Sequence, residues 1–128
     1  MTSTTTGGCF CGEIRYEISN EPVLQVLCFC KDKTSGTAGY AGYMVDQADF
    51  RVVSGDPKVH RKVSKEGRTV KRNFCAECGS NLWGATEFGL ISVAAGTLDN
   101  PNLFKPTKKT FVDDAPHWAR VPEEVEEM

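Results

Sequence analysis

Six cysteines fall in three close pairs along the chain: Cys9 and Cys11, Cys28 and Cys30, Cys75 and Cys78. Thiolates are nucleophiles and soft metal ligands, so chemistry would sit at these pairs. The first and last pairs read together as one tetrahedral zinc site. Zinc takes four thiolates at about 2.3 Å each, which sets the sulphurs roughly 3.8 Å apart. A flat strand spaces alternate Cα atoms by about 6.6–6.8 Å, so Cys9-Phe10-Cys11 must bend to chelate. Gly7, Gly8 and Gly12 flank the pair and permit the bend. The segment Cys75-Ala76-Glu77-Cys78-Gly79-Ser80 has the form of a zinc knuckle, with Gly79 placed to accept a left-handed turn. Two disulfides are the alternative use of four cysteines. Met1 to Thr6 is polar and shows no apolar export segment, so a reducing cytoplasmic setting is expected, in which metal is favoured. Four thiolates leave no open coordination position, so this metal is expected to clasp the fold rather than react.

The central pair lies in Cys28-Phe29-Cys30-Lys31-Asp32-Lys33-Thr34-Ser35-Gly36. A bend after Cys30 would turn both thiols to one pocket, and an ammonium from Lys31 or Lys33 would favour thiolate. The blander alternative is two buried apolar cysteines in a strand. A disulfide between them is disfavoured, because Cys-x-Cys sits at the limit of comfortable separations.

The elements that must position these groups follow a period of two. Ile14, Tyr16 and Ile18 alternate with Glu13, Arg15 and Glu17, the pattern of a half-buried strand. Leu24, Val26, Cys28 and Cys30 share one parity and suggest a strand leading into the central pair. Tyr40 to Val45, Phe50 to Ser54, Thr69 to Phe74 and Leu90 to Ala95 are further strands rich in aromatic and β-branched residues. Ser54-Gly55-Asp56-Pro57 and Asp99-Asn100-Pro101 are turns, and Asp46-Gln47-Ala48-Asp49 allows one helical turn. Trp83 and Phe74 read as core, Trp118 as packing the C-terminal segment against the sheet, and His60 and His117 as surface residues. With 128 residues and no linker, one all-β domain spanning 1–128 is expected. The formal charge of −2 argues against a nucleic-acid partner, and no apolar run approaches a membrane span. Glu123-Glu124-Val125-Glu126-Glu127 reads as a solvated tail.

The ordered set Gly7-Gly8-Cys9-Phe10-Cys11-Gly12, Cys28-x-Cys30, Ser35-Gly36, Phe74-Cys75-x-x-Cys78-Gly79-Ser80 and Gly96-Thr97-Leu98-Asp99 resembles the glutathione-dependent formaldehyde-activating enzyme family, also called the centromere-protein-V-like group. The similarity runs from about Gly7 to Pro122. It implies a small β-tent of short antiparallel strands with a structural zinc on Cys9, Cys11, Cys75 and Cys78. It also implies a catalytic zinc on a Cys-x-Cys-x-x-Cys motif beside a glutathione pocket, and carbon–sulphur lyase chemistry on glutathione adducts. By the same resemblance, Ser35, Gly36, Thr97 and Asp99 lie where glutathione would bind. Lys33 stands where the motif has its third cysteine. A protonated lysine repels a metal, and Asp32 could replace the missing donor only with a different bend. The expectation is therefore an enzyme acting on glutathione or a thiol–aldehyde adduct through Cys28, Cys30 and Lys33. The alternative is a zinc-stabilised module that has lost its second metal and binds a protein partner.

Overall fold

The computed structural model of the chain describes residues 4–31, 33–64 and 66–128. Its strands are β1 (Thr4–Gly8), β2 (Arg15–Ser19), β3 (Leu24–Cys28), β4 (Tyr40–Asp46), β5 (Phe50–Ser54), β6 (Lys58–Val63), β7 (Thr69–Phe74), β8 (Asn81–Ala85), β9 (Leu90–Ala94), β10 (Lys108–Thr110) and β11 (Glu126–Glu127). They form two sheets, ordered β1-β2-β5 and β11-β10-β3-β4-β9-β8-β7-β6. The fold is all-β, as the periodicity implies, and among the described residues the helical pieces are single 3-10 turns. Among the described residues no helix is long and apolar enough to cross a membrane.

Alternation on β2 decides how the sheets meet. Tyr16 and Ile18 are fully buried, while Arg15 and Glu17 turn outward. Their inward face packs on Tyr43, Val45, Leu82, Trp83, Ile91 and Val93 of the large sheet. An aromatic trio joins the layers at the centre. The Tyr16 ring lies 5.4 Å from Phe50 and 6.1 Å from Trp83, edge to face, and Phe50 lies 4.7 Å from Trp83. Each such pair adds about 0.5–1.5 kcal/mol beyond the area it buries. The single turn Gln47–Asp49, capped by the Asp46 carboxylate on the Ala48 N–H at 2.9 Å, carries the chain from β4 in one sheet to β5 in the other.

The strands that apolar alternation does not announce are held by other forces. β1 is Thr-Thr-Thr-Gly-Gly and exists through its antiparallel ladder to β2. β6 is exposed at every position and forms the free edge beside β7. β10 runs parallel to β3 and β11 parallel to β10, so this edge departs from the antiparallel rule of the rest. The acidic tail is accordingly not a simple solvated end. Val125 is buried, Glu126 pairs with Lys108 at 3.0 Å, and the Met128 N–H donates to the Lys109 carbonyl at 2.8 Å. Lys108 and Lys109 supply the counter-charge and backbone that draw it in. Trp118 also departs from expectation. It is 76% exposed, because Val125 rather than Trp118 is the buried anchor of this segment.

Gly7 lies opposite Tyr16 on β2 and is bridged to Leu98 after β9, with no room for a side chain. A methyl there would collide with the Tyr16 phenol and the Thr97 carbonyl. Gly7→Ala should therefore cost on the order of 1–3 kcal/mol, seen as a melting temperature several degrees lower by circular dichroism. An unchanged melting temperature would show that β1 is not pressed against Tyr16.

Candidate functional site

Two loops carry the four-cysteine cluster. After β1, the Gly12 N–H donates to the Cys9 carbonyl at 3.2 Å, and Gly12 takes φ +82°. That turn brings the Cys9 and Cys11 sulphurs to 3.6 Å and throws Phe10 between them into solvent. After β7, the Gly79 N–H donates to the Cys75 carbonyl at 2.8 Å, with Gly79 at φ +77°. The Phe10 N–H donates to the Ser80 hydroxyl at 3.0 Å and ties one loop to the other. The Cys11 and Cys75 sulphurs then stand 3.8 Å apart, and all four Sγ atoms lie within 4.8 Å of one another.

This donor set can hold a metal ion. Four soft thiolates at this spacing match what tetrahedral zinc takes, about 3.8 Å between sulphurs. The electrostatics of the bare cluster are uneven. The Ser80 hydroxyl beside Cys78 lowers its pKa to about 5, helped by the Ser80 backbone. Burial works against ionisation of Cys9, but the Ile14 N–H, donating to its sulphur at 3.2 Å, and the neighbouring thiols bring its pKa down. For Cys11 the Glu13 backbone N–H lowers the pKa, yet burial and the neighbouring sulphurs outweigh it and push it up to about 12. Protons and a cation compete for the same sulphurs, so metal binding releases protons and acid releases metal.

The central pair is shaped by one inverted side chain. β3 stops at Cys28, and Phe29 turns into the interior, 4% exposed, with its N–H donating to the Thr110 carbonyl at 2.9 Å. Gly39, at φ +101°, leaves room for the ring; a methyl there would sit 3.0 Å from it. With Phe29 inward, the flanking thiols converge, and the Cys28 thiol donates to the Cys30 sulphur at 3.2 Å. Cys30 lines an open cleft of about 490 Å³, with Phe29, Lys31, Lys33, Gly36 and Trp118. Lys33 begins the 3-10 turn Lys33–Ser35 and is exposed. Gly36 closes that turn at φ +70°, its N–H donating to the Lys33 carbonyl at 3.1 Å. The Ser35 hydroxyl accepts from the Thr37 N–H at 3.4 Å.

Arg72 braces this loop from the large sheet, its Nε donating to Thr34 Oγ1 at 3.3 Å. Gly84 gives it passage, since a Cβ there would meet the guanidinium. Asp32, the conceivable third donor, lies outside the described residues. Among the described residues, Cys9, Cys11, Cys75 and Cys78 form the only group of three or more metal-ligating side chains.

Thr97 and Asp99 are held toward the small sheet instead. The Thr97 hydroxyl lies 2.7 Å from the Tyr16 phenol and donates to the Ala94 carbonyl at 2.7 Å. Burial raises the Tyr16 pKa, so that contact joins two neutral hydroxyls at neutral pH. Asp99 receives both Arg15 guanidinium nitrogens and the Thr6 hydroxyl at 2.6 Å. Arg15 and then Thr6 hold its pKa down to about 2. The pair therefore contributes stability above about pH 4 and loses it as the pH falls toward 2. Both side chains are more than a third exposed, so solvent keeps the contribution small. Sequence reasoning missed Arg15, Arg72 and the cleft position of Trp118. The charged alternation of β2 signals that Arg15 points outward, but nothing local signals its partner 84 residues on.

The family model described as glutathione-dependent formaldehyde-activating enzyme matches residues 4–114. A Halomonas elongata protein, provisionally named a glutathione-dependent formaldehyde-activating enzyme, is 29% identical over 127 residues, covering 90% of this chain and 79% of its own. A Rhodobacter sphaeroides protein of known crystal structure has the same fold, with a TM-score of 0.61 at 20% identity over 79% of this chain and 96% of its own.

Replacing Cys75 or Cys78 with serine should abolish tight metal binding and sharply lower the melting temperature, since structural zinc is worth on the order of 10 kcal/mol. Elemental analysis and thermal melts of the variants check this. Retained metal with unchanged stability would remove the cluster's structural role.

Proposed function

Because the chain belongs to the glutathione-dependent formaldehyde-activating enzyme family, we propose that it is a carbon–sulphur lyase-type enzyme acting on glutathione or a thiol–aldehyde adduct in the cytoplasm. In this reading Cys9, Cys11, Cys75 and Cys78 hold one structural zinc. It carries no substrate position and serves to fix two loops that are otherwise far apart in the chain.

The observation that supports the reading is the contact of Cys28 with Cys30, which lines a cleft together with Lys31, Lys33 and Asp114. Glutathione is a tripeptide thiol with two carboxylates, and Lys31 and Lys33 offer it cations at the rim. Gly36 exposes backbone, Ser35 holds the turn beneath it, and Trp118 gives an apolar wall for the ligand's methylene groups. Thr97 and Asp99 act in this scheme by positioning their loop against Tyr16 and Arg15. A catalytic zinc takes about three protein ligands; among the described residues Cys28 and Cys30 approach each other without joining a close group of three metal-ligating side chains. No step is therefore routed through a second metal.

The chain's own groups suffice for a charge-assisted step. In the joining direction a glutathione thiolate attacks the aldehyde carbon, the C–S bond forms, and the carbonyl oxygen becomes an alkoxide. The Lys33 ammonium stabilises that oxygen and gives it a proton. In the lyase direction the neutral amine takes the hydroxyl proton, the C–S bond breaks, and the thiolate leaves toward the cationic rim.

Calorimetry with glutathione and its hydroxymethyl adduct should show binding at millimolar ligand or below. Lys33→Met should lower kcat by about 100-fold, the usual contribution of a general acid, with a smaller change in KM. Absence of any binding heat would support the protein-binding module instead. Full activity in Lys33→Met would remove lysine from the mechanism.

A further inference from the structure

The lyase step leaves one relationship unused: the direct contact between the two central thiols. Cys30 lines the cleft, whereas Cys28, at the end of β3, is not part of that lining and donates its S–H to the Cys30 sulphur at 3.2 Å. One thiol is thus open to a small molecule and the other is within reach of the first. The bend that makes the contact is built in. It is set by the buried Phe29, its backbone bond to Thr110, and the space left by Gly39.

The bend brings to 3.2 Å two sulphurs that the Cys-x-Cys spacing holds apart in an extended strand. A disulfide closed over so few residues, at an open cleft, belongs to the labile and exchangeable kind rather than the structural kind. The other four cysteines are set apart. They face one another in the loop cluster, and none of them lines this cleft.

We propose that Cys30 and Cys28 form a dithiol–disulfide couple that exchanges with low-molecular-weight disulfides, with Cys30 the attacking thiol and Cys28 the resolving one. In the first half the Cys30 thiolate attacks one sulphur of RS–SR. The RS–SR bond breaks, a mixed disulfide forms at Cys30, and RS⁻ leaves and takes up a proton. In the second half Cys28 gives up its proton and attacks Cys30 Sγ, the mixed disulfide breaks, and a second RSH departs. Two protein thiols are oxidised by two electrons while RS–SR is reduced to two RSH. The couple goes beyond the lyase reading and relies on it only for glutathione as the preferred thiol. The oxidised form lacks both free thiols, so oxidation would also switch off any chemistry that needs them.

The test treats metal-loaded protein with buffers of oxidised and reduced glutathione. The reaction is quenched by acid, and the remaining thiols are alkylated after unfolding and counted by intact mass. The wild type should lose two hydrogens and two alkylatable thiols, reversibly, with the four cluster cysteines still counted as thiols. Cys28→Ser should stop at one glutathione on Cys30, placed by peptide mapping. Cys30→Ser should react at least about ten times more slowly, since its remaining thiol does not line the cleft. A wild type that collects stable adducts without an internal disulfide would overturn the proposal. Equal modification rates in the two serine variants would overturn the assignment of roles. Hydroxyethyl disulfide separates this proposal from the lyase reading. Internal disulfide formation with that reagent, without binding of S-methylglutathione, supports the couple and sinks the glutathione site. Binding of S-methylglutathione with no internal disulfide under either reagent does the reverse.

Discussion

Four sulphurs held within 4.8 Å of one another are stable as thiolates only with a cation between them. Without a cation the crowding pulls neighbouring thiols in opposite directions. The Ser80 hydroxyl lowers the Cys78 pKa to about 5, while at Cys11 the Glu13 backbone N–H is outweighed by burial and the other sulphurs, which push the pKa up to about 12. The two loops that meet there lie at different ends of the topology. One follows β1 in the small sheet and the other joins β7 to β8 in the large one. Closing a loop of that length costs chain entropy that a few backbone bonds would not recover. Cys9 and Cys75 belong to the same buried core as the aromatic trio, so the packing of the layers helps to hold the two loops together.

The chain uses the spacing Cys-x-Cys twice, to different ends. At Cys9 and Cys11 a glycine turn leaves the middle residue in solvent and points both sulphurs at a second loop. At Cys28 and Cys30 the middle residue goes inward, and the sulphurs meet each other beside an open cleft. Spacing fixes how near two thiols can come; the residue between them and the surface opposite decide what they do. Family membership does not by itself choose between these uses, because function resides in the site and not the fold.

What could be read from the residues follows from how local each cause is. β2 announces itself because burial on one face leaves alternating apolar residues, and β4 and β9 through their aromatic and β-branched content. The four-cysteine cluster was legible for a similar reason, since Gly12 and Gly79 sit where positive φ is needed. β1, β6, β10 and β11 were not legible, because polar backbone pairing and ion pairs leave no apolar period. The inversion of Phe29 depends on Gly39 and Thr110, and the bracing of Thr34 depends on Arg72 crossing Gly84. These are long-range coincidences that no window of sequence displays.

The large sheet ends in two strands of opposite character, β6 with Lys58, Arg61 and Lys62 and β11 with Glu126 and Glu127. Lys58, Arg61, Lys62, Lys65, Arg68, Lys71 and Arg72 make seven of the chain's fifteen basic residues, all within a fifteen-residue stretch of sequence whose only acid is Glu66. A net charge of −2 therefore conceals a molecule with a direction. Two copies brought together by like edges meet like charge, which guards each edge against pairing with itself. Only unlike edges attract, and a contact of that kind repeats head to tail instead of closing on a twofold axis. Dissolved ions weaken it over a distance of about 8 Å at physiological strength. The consequence is that added salt should weaken any association of this protein between unlike edges.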